Sequence, residues 1–207
     1  MAYKVLIPQP VAKEGLDYLQ ERGHEIRIGS GYTIEIIKEE VKGCDAILIR
    51  TAPLPAEVLQ AENKLKVIGR HGVGIDNIDL KAAAELGICV TYAPGTNTNS
   101  VAEQTIGLII ACAKNFIICD REMRRGNFKF RDQAYCVDLK DKTLGIAGFG
   151  VSSSLVAKKV LYGLDMKVIT YDPYINKDDL PERVRLVRSQ VAPFSGGDSV
   201  PLHLLPP

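Results

Sequence analysis

The chain has 207 residues, enough at roughly 100–200 residues per domain for one large domain or two small ones with a real hydrophobic core. Apolar residues make up 46% of it and charged residues 25%, which excludes a disordered or fibrous chain. With 26 Lys and Arg against 25 Asp and Glu the formal charge is +1, and no basic stripe tracks a phosphate backbone, so no nucleic-acid partner is expected.

Short β-branched runs at residues 4–8, 25–28, 46–49, 66–69 and 89–91 read as strands. They alternate with helical patterns near 11–22, 33–42, 55–61 and 79–86. That alternation predicts a parallel sheet, because joining parallel strands needs a crossover and the crossover is normally a helix. Residues 1–97 therefore read as one α/β domain, punctuated at its end by Pro94-Gly95-Thr96-Asn97. A helical pattern then runs from Ser100 to about Arg125, with Ser100 or Asn99 as N-cap, Ser100 and Glu103 spaced as a capping box, and Gly126 as the stop. Residues 127–142 show no sustained period and read as an irregular connection. Strands at 143–147 and 167–171 flank a helix at 153–162, and a further strand is expected over 198–204, confined to an edge by Pro201. Residues 98–207 thus read as half of a doubly wound fold, whose complete form has two βαβαβ halves. A sheet cut short in this way exposes an unpaired edge and predicts association or poor solubility.

Gly148-Phe149-Gly150 follows a strand and opens a helix, which is where a pyrophosphate-binding turn sits. The first glycine permits the tight turn, the second lets backbone approach the anion, and the charge rests on the helix N-terminus. The third small position is Ser153, within Val151-Ser152-Ser153-Ser154. Either its hydroxymethyl group overpacks the helix against the strand, at a cost of about 1–3 kcal/mol, or serine is small enough to fit. Asp172 ends the next strand, near the expected spacing of about 20 residues for a carboxylate that accepts the ribose 2′-OH. With no arginine in Pro173-Tyr174 to receive a 2′-phosphate, this predicts NAD over NADP; an ordinary Asp-Pro strand-end turn is the plainer alternative.

Gly69-Arg70-His71-Gly72-Val73-Gly74 closes the fourth strand, and strand carboxyl ends are where open α/β sheets hold ligands. Its backbone N–H groups can face an anion, and Arg70, with Arg50 at the end of the preceding strand, offers bidentate donors to a carboxylate or phosphate. In the plainer alternative the glycines make a turn and Asp76 caps the next helix. His24, His71 and His203 lack a sequence-local carboxylate to orient them as bases.

The longest apolar stretch, residues 106–113, is far short of the roughly 20 residues of a membrane span. The start MAYKVLIPQP lacks a signal-peptide layout, so no membrane and a cytoplasmic location are expected. The five cysteines (Cys44, Cys89, Cys112, Cys119, Cys136) show no C-x-x-C spacing, which predicts no disulfide framework, no metal site, and mostly buried, reduced, inert thiols.

The segments GRHGVGIDNIDLKAAAELGI, NSVAEQTIGLIIACAKN and KTLGIAGFG, followed by VAKKV and MKVITYDPY, resemble the D-2-hydroxyacid dehydrogenases, in particular their phosphoglycerate dehydrogenase subgroup. The resemblance implies a flavodoxin-like substrate domain followed by a Rossmann domain that binds NAD. It implies hydride transfer between NAD and C2 of a small 2-hydroxy or 2-oxo acid, 3-phosphoglycerate-like, by a homo-oligomer formed through the coenzyme domain. It places the substrate carboxylate on the backbone at Val73 and Gly74, with Arg50 and Arg70 towards a phosphate or carboxylate end. Val73 and Thr105 would lie near the nicotinamide, Gly148, Gly150, Val151 and Ser152 at the pyrophosphate, and Asp172 on the adenosine ribose.

By the same resemblance the family's catalytic arginine, glutamate and histidine have no counterpart in residues 1–207, nor does the C-terminal helix that completes the outer domain. No catalytic residue is therefore assigned, and the chain reads as a scaffold without its acid/base groups. The serine run and the end SGGDSVPLHLLPP, which approximates and then loses the family pattern, would both follow from small reading-frame shifts. The competing reading is a non-catalytic NAD-binding or hetero-oligomerising remnant that pairs through the helix beginning at Ser100.

Overall fold

Two parallel sheets organise the chain, one in each of two compact units, Met1–Thr96 and Asn97–Pro207. The computed structural model describes residues 1–189 and, as backbone, the strand Ser199–His203; residues 198 and 204, the two ends of the strand expected over 198–204, lie outside the described residues.

In the first unit the elements alternate without exception: β1 (Lys4–Ile7), α1 (Lys13–Glu21), β2 (Glu25–Ile28), α2 (Ile34–Glu40), β3 (Ala46–Ile49), α3 (Ala56–Leu59), β4 (Val67–Arg70), α4 (Leu80–Glu85) and β5 (Cys89–Thr91). All neighbours pair in parallel in the order β2-β1-β3-β4-β5, the flavodoxin-like arrangement, whose connections reverse direction between β1 and β3. The period of two puts Leu6, Ile47, Ile49 and Ile68 on one face. There they pack with Ile37 and Val41 of α2 and its end, Val58 and Leu59 of α3, and Ala82 and Ala83 of α4. The opposite face presents Val5, Ala46, Leu48 and Val67 beside α1, around an apolar groove of about 550 Å³.

The second unit opens with α5 (Thr98–Ala113) and α6 (Phe116–Arg124), whose axes meet at 60°. The single helix expected from Ser100 to Arg125 is thus two. Asn115 between them adopts a left-handed conformation (φ 54°), which asparagine tolerates better than most residues. Its Nδ2 donates to the Tyr135 carbonyl (2.8 Å), while Val137 N–H donates to the Ala113 carbonyl freed by the break (2.8 Å). Partners distant in sequence therefore stabilise a bend that no Pro or Gly announces. The expected capping box is also absent: α5 starts at Thr98, Ser100 lies in its first turn, and Glu103 accepts from Asn99 Nδ2 instead.

After a 3-10 turn (Phe128–Asp132), β6 (Thr143–Ala147), α7 (Val151–Gly163), β7 (Lys167–Tyr171), β8 (Val184–Leu186) and β9 (Ser199–His203) follow. Their order, β8-β7-β6-β9, is entirely parallel and matches strands 3-2-1-4 of the dinucleotide-binding fold. β9 lies at the end of this order, and Pro201 stands opposite Gly145. The short β8 had no sequence reading, and α7 begins two residues earlier than expected. Leu144 and Ile146 of β6, both fully buried, pack with Val156, Ala157 and Val160 of α7 and with Ala102 and Ile109 of α5. Truncating such a residue to alanine costs about 2–5 kcal/mol.

The thiols depart from expectation: Cys44 is buried and Cys119 half-buried, but Cys89, Cys112 and Cys136 are exposed. Cys89 lies on an edge strand, Cys112 on the outer side of α5 and Cys136 in the loop before β6, all positions the core does not reach. No single helix among the described residues is long and apolar enough to cross a membrane, and no group of His, Cys, Asp or Glu there has the arrangement of a metal site.

Candidate functional site

In the first unit the strand carboxyl ends gather Gln9, Arg50, Arg70 and the loop that follows β4. The register pairs Ile49 with Arg70, so Arg50 and Arg70 leave adjacent parallel strands at the same end. Gly72 has φ 147°, a conformation that disfavours any side chain, and a Cβ there would lie 2.0 Å from Arg70 Nη1. The guanidinium folds over this glycine, with Nη1 donating to the His71 carbonyl (2.5 Å). Arg70 Nε is buried without a hydrogen-bond partner, one of two such side-chain atoms among the described residues. A buried donor left unmade costs about 1–3 kcal/mol, so an acceptor brought to Nε would recover that cost. Among the described residues nothing accepts from the N–H of Val73 or Gly74. Val73 is exposed, as is Arg50, whose Nη1 donates to the Pro10 carbonyl (3.0 Å).

Asp76 does not cap the following helix. Asp79 does, accepting from Ala82 N–H (2.9 Å), so the glycine loop is free of that duty. Asn77 ties the loop to the end of β3: its Nδ2 donates to the Ala52 carbonyl (2.8 Å), and its own carbonyl accepts from Leu54 N–H (2.7 Å). Its Oδ1 is the second buried atom without a partner. Gln9 and Asn77 carried no sequence motif. The only available signal was the position of Gln9, a polar residue just past the carboxyl end of a strand.

In the second unit Gly148 takes φ 84°, and Gly150, extended, is the N-cap of α7 with no heavy atom within 4 Å of where a Cβ would sit. Ser154 N–H is the first to close a helical bond, onto the Gly150 carbonyl (2.9 Å). The N–H groups of Val151, Ser152 and Ser153 therefore point out of the helix end, where its dipole favours an anion. Val151 is exposed and Ser152 half-buried. Ser153 is only 3% exposed and lies among the buried residues of α7, with Val156, Ala157 and Val160.

Asp172 reaches back to the turn. Oδ2 accepts from Phe149 N–H (2.7 Å) and Oδ1 from Tyr174 N–H (2.8 Å). Two of about four acceptor positions on the carboxylate are used, which leaves capacity for a hydroxyl. An exposed turn, open space at Gly150 and a half-used carboxylate together fit a dinucleotide. Thr105, by contrast, is 8% exposed on the inner side of α5 with Ala102 and Ile109. The side chain of His203 lies outside the described residues, and His24 stacks on Tyr3 and accepts its N–H at Nδ1 (3.3 Å).

A flavodoxin-order sheet, a strand order of 3-2-1-4 and a glycine turn stapled to a strand-end aspartate define a two-domain α/β protein of the dinucleotide-binding class. The family model described as D-isomer specific 2-hydroxyacid dehydrogenase, catalytic domain, matches residues 5–201. The chain belongs to this family. It is 40% identical over 176 residues to D-3-phosphoglycerate dehydrogenase of Archaeoglobus fulgidus, covering 84% of this chain and 33% of that protein. The TT0316 protein of Thermus thermophilus superposes with a TM-score of 0.81 at 30% identity, over 89% of this chain and 59% of the other. D-lactate dehydrogenase of Aquifex aeolicus, solved with NAD and lactic acid, gives a TM-score of 0.76 at 27% identity, over 89% and 55% respectively. The chain spans about a third of the length of the phosphoglycerate dehydrogenases it matches.

Proposed function

We propose that this chain carries the substrate domain and the first half of the coenzyme domain of an NAD-dependent D-2-hydroxyacid dehydrogenase, acting on a small 2-hydroxy or 2-oxo acid of the 3-phosphoglycerate kind. The observation that carries the reading is the Gly148-Phe149-Gly150 turn at the head of α7, held by Asp172 from the end of β7. In this reading Gly148, Gly150, Val151 and Ser152 take the pyrophosphate and Asp172 takes the adenosine ribose. Bound NAD supplies the hydride acceptor or donor for C2 of the acid. Val73 and Gly74 offer their unused N–H groups to the substrate carboxylate, and Arg50 and Arg70 offer guanidinium donors to its other anionic end.

In this reading the described residues bind and orient, and the group that takes the hydroxyl proton is not among them. The exposed apolar side chains Leu108 of α5 and Phe116, Ile117 and Met123 of α6 support an oligomer formed through the coenzyme domain, and equally the non-catalytic, hetero-oligomerising reading.

Calorimetric titration with NAD and with NADP tests the first half of the proposal: NAD binding with at least about tenfold preference is expected, and no heat at millimolar NAD would refute it. A nicotinamide absorbance assay with 3-phosphoglycerate tests the second. Absence of turnover is expected, and turnover by this chain alone would refute the assignment of binding without acid/base groups.

A further inference from the structure

We propose that Gln9 is the positioning residue for Arg50; its consequence for ligand binding rests on the assignment of Arg50 to the substrate's anionic end. Gln9 lies just past β1, at the point where the strand order reverses between β1 and β3 and where open α/β sheets hold ligands. The β3–β4 ladder closes with His71 N–H on the Ile49 carbonyl (2.7 Å). The next three N–H groups along the chain then converge on one atom: Arg50, Thr51 and Ala52 donate to Gln9 Oε1 at 3.2, 2.9 and 3.0 Å. Gln9 Nε2 returns a bond to Thr51 Oγ1 (3.0 Å).

Successive N–H groups around one point form a nest of the kind that elsewhere takes an anion. Here an uncharged amide oxygen fills it, which satisfies three donors without setting a negative charge beside Arg50. Gln9 is 9% exposed, so its side chain is held in place. The guanidinium of Arg50 rests on the carbonyl of Pro10, the next residue, so both ends of Arg50 lean on the Gln9-Pro10 segment. Through the Ala52 carbonyl and Asn77 the same segment is tied to the loop that carries Gly72, Val73 and Gly74. One side chain from the loop after β1 thereby sets Arg50 against the rest of the anion-binding end.

The test uses the full chain with Gln9→Met, which keeps the bulk and removes the acceptor, and Gln9→Glu, which keeps the acceptor and adds charge. Gln9→Met is expected to speed amide exchange at residues 50–52 by about tenfold or more, and to move the Arg50 Nε–H order parameter towards the flexible range, below about 0.6. It is expected to weaken 3-phosphoglycerate binding about fivefold, and to leave that affinity unchanged in an Arg50→Ala background, since Gln9 acts through Arg50. Gln9→Glu is expected to keep slow exchange and an ordered Arg50 while weakening 3-phosphoglycerate through its charge. Unchanged exchange and order in Gln9→Met would overturn the proposal, as would an equal loss of affinity with and without Arg50. If Gln9→Met fails to fold, fast exchange at residues 50–52 in Gln9→Glu overturns it and slow exchange supports it. A wild-type chain that binds no 3-phosphoglycerate refutes the substrate assignment alone, and exchange and order still decide whether Gln9 holds Arg50.

Discussion

Replacing Asp172 by alanine removes the acceptor shared by Phe149 N–H (2.7 Å) and Tyr174 N–H (2.8 Å). A hydrogen bond to a charged group contributes about 1.5–3 kcal/mol when its loss leaves a buried donor unmade. Tyr174 is exposed and water replaces its bond, whereas the bond to the part-buried Phe149 N–H has no such substitute, so the expected destabilisation is about 2 kcal/mol. For a unit of about 100 residues that lowers its Tm by about 10 °C. Asp172→Asn keeps one acceptor, which goes to Phe149 N–H, and costs less than about 1 kcal/mol. Scanning calorimetry reads the stability, amide exchange at Phe149 reads the bond, and titration with NAD reads the site. Both variants are expected to bind NAD about tenfold more weakly, or about 1.4 kcal/mol. An alanine variant with unchanged melting and a protected Phe149 amide would refute the account of the staple.

Three further outcomes follow from the same geometry. Thiol labelling of the native chain is expected to modify Cys89, Cys112 and Cys136 rapidly and Cys44 only on unfolding, since Cys44 is buried and burial pushes its thiol pKa up; rapid labelling of Cys44 would contradict its place in the core. The N–H groups of Gly43 and then Lys64 hold the Glu62 carboxyl below its ordinary range. Its contribution is present above the unfolded-state value of about 4.3 and is lost as pH falls through the lower folded value. Glu62→Gln is therefore expected to be less stable than wild type near neutrality, with the gap closing in acid, and a gap independent of pH in denaturant melts would count against this. Asn115→Gly is expected to be tolerated within about 1 kcal/mol, whereas Asn115→Val forces a β-branched residue into a left-handed conformation and costs about 1–3 kcal/mol; equal melting temperatures would show that the bend does not depend on that conformation.

The strands of the first unit were legible because each is a short run with β-branched residues between helices of longer period, a signal local to the sequence. The bend at Asn115 was not, because the bonds that stabilise it come from Tyr135 and Val137, beyond any local window. β8 spans three residues, too few for a period to register. The start of α5 was misread for a related reason: several polar residues stand near it, and the helix begins after Asn97 where Ser100 or Asn99 was expected to cap it.

At the site, residue types and their order along the chain set which chemistry was available. Gly148 and Gly150 ahead of a helix, Asp172 at the end of the next strand, and arginines at two neighbouring strand ends have backbone freedom, charge and spacing that carry meaning without coordinates. How those groups are held emerged only from the packed fold. It closed Asp172 onto Phe149, folded Arg70 over Gly72 with its Nε unmatched, buried Ser153, and brought Gln9 from the end of β1 to the three N–H groups after β3. The difference is one of range: propensity and periodicity act over a few residues, whereas a buried donor takes whichever acceptor the packed fold places beside it, and that partner lies 41 to 43 residues away in the case of Gln9.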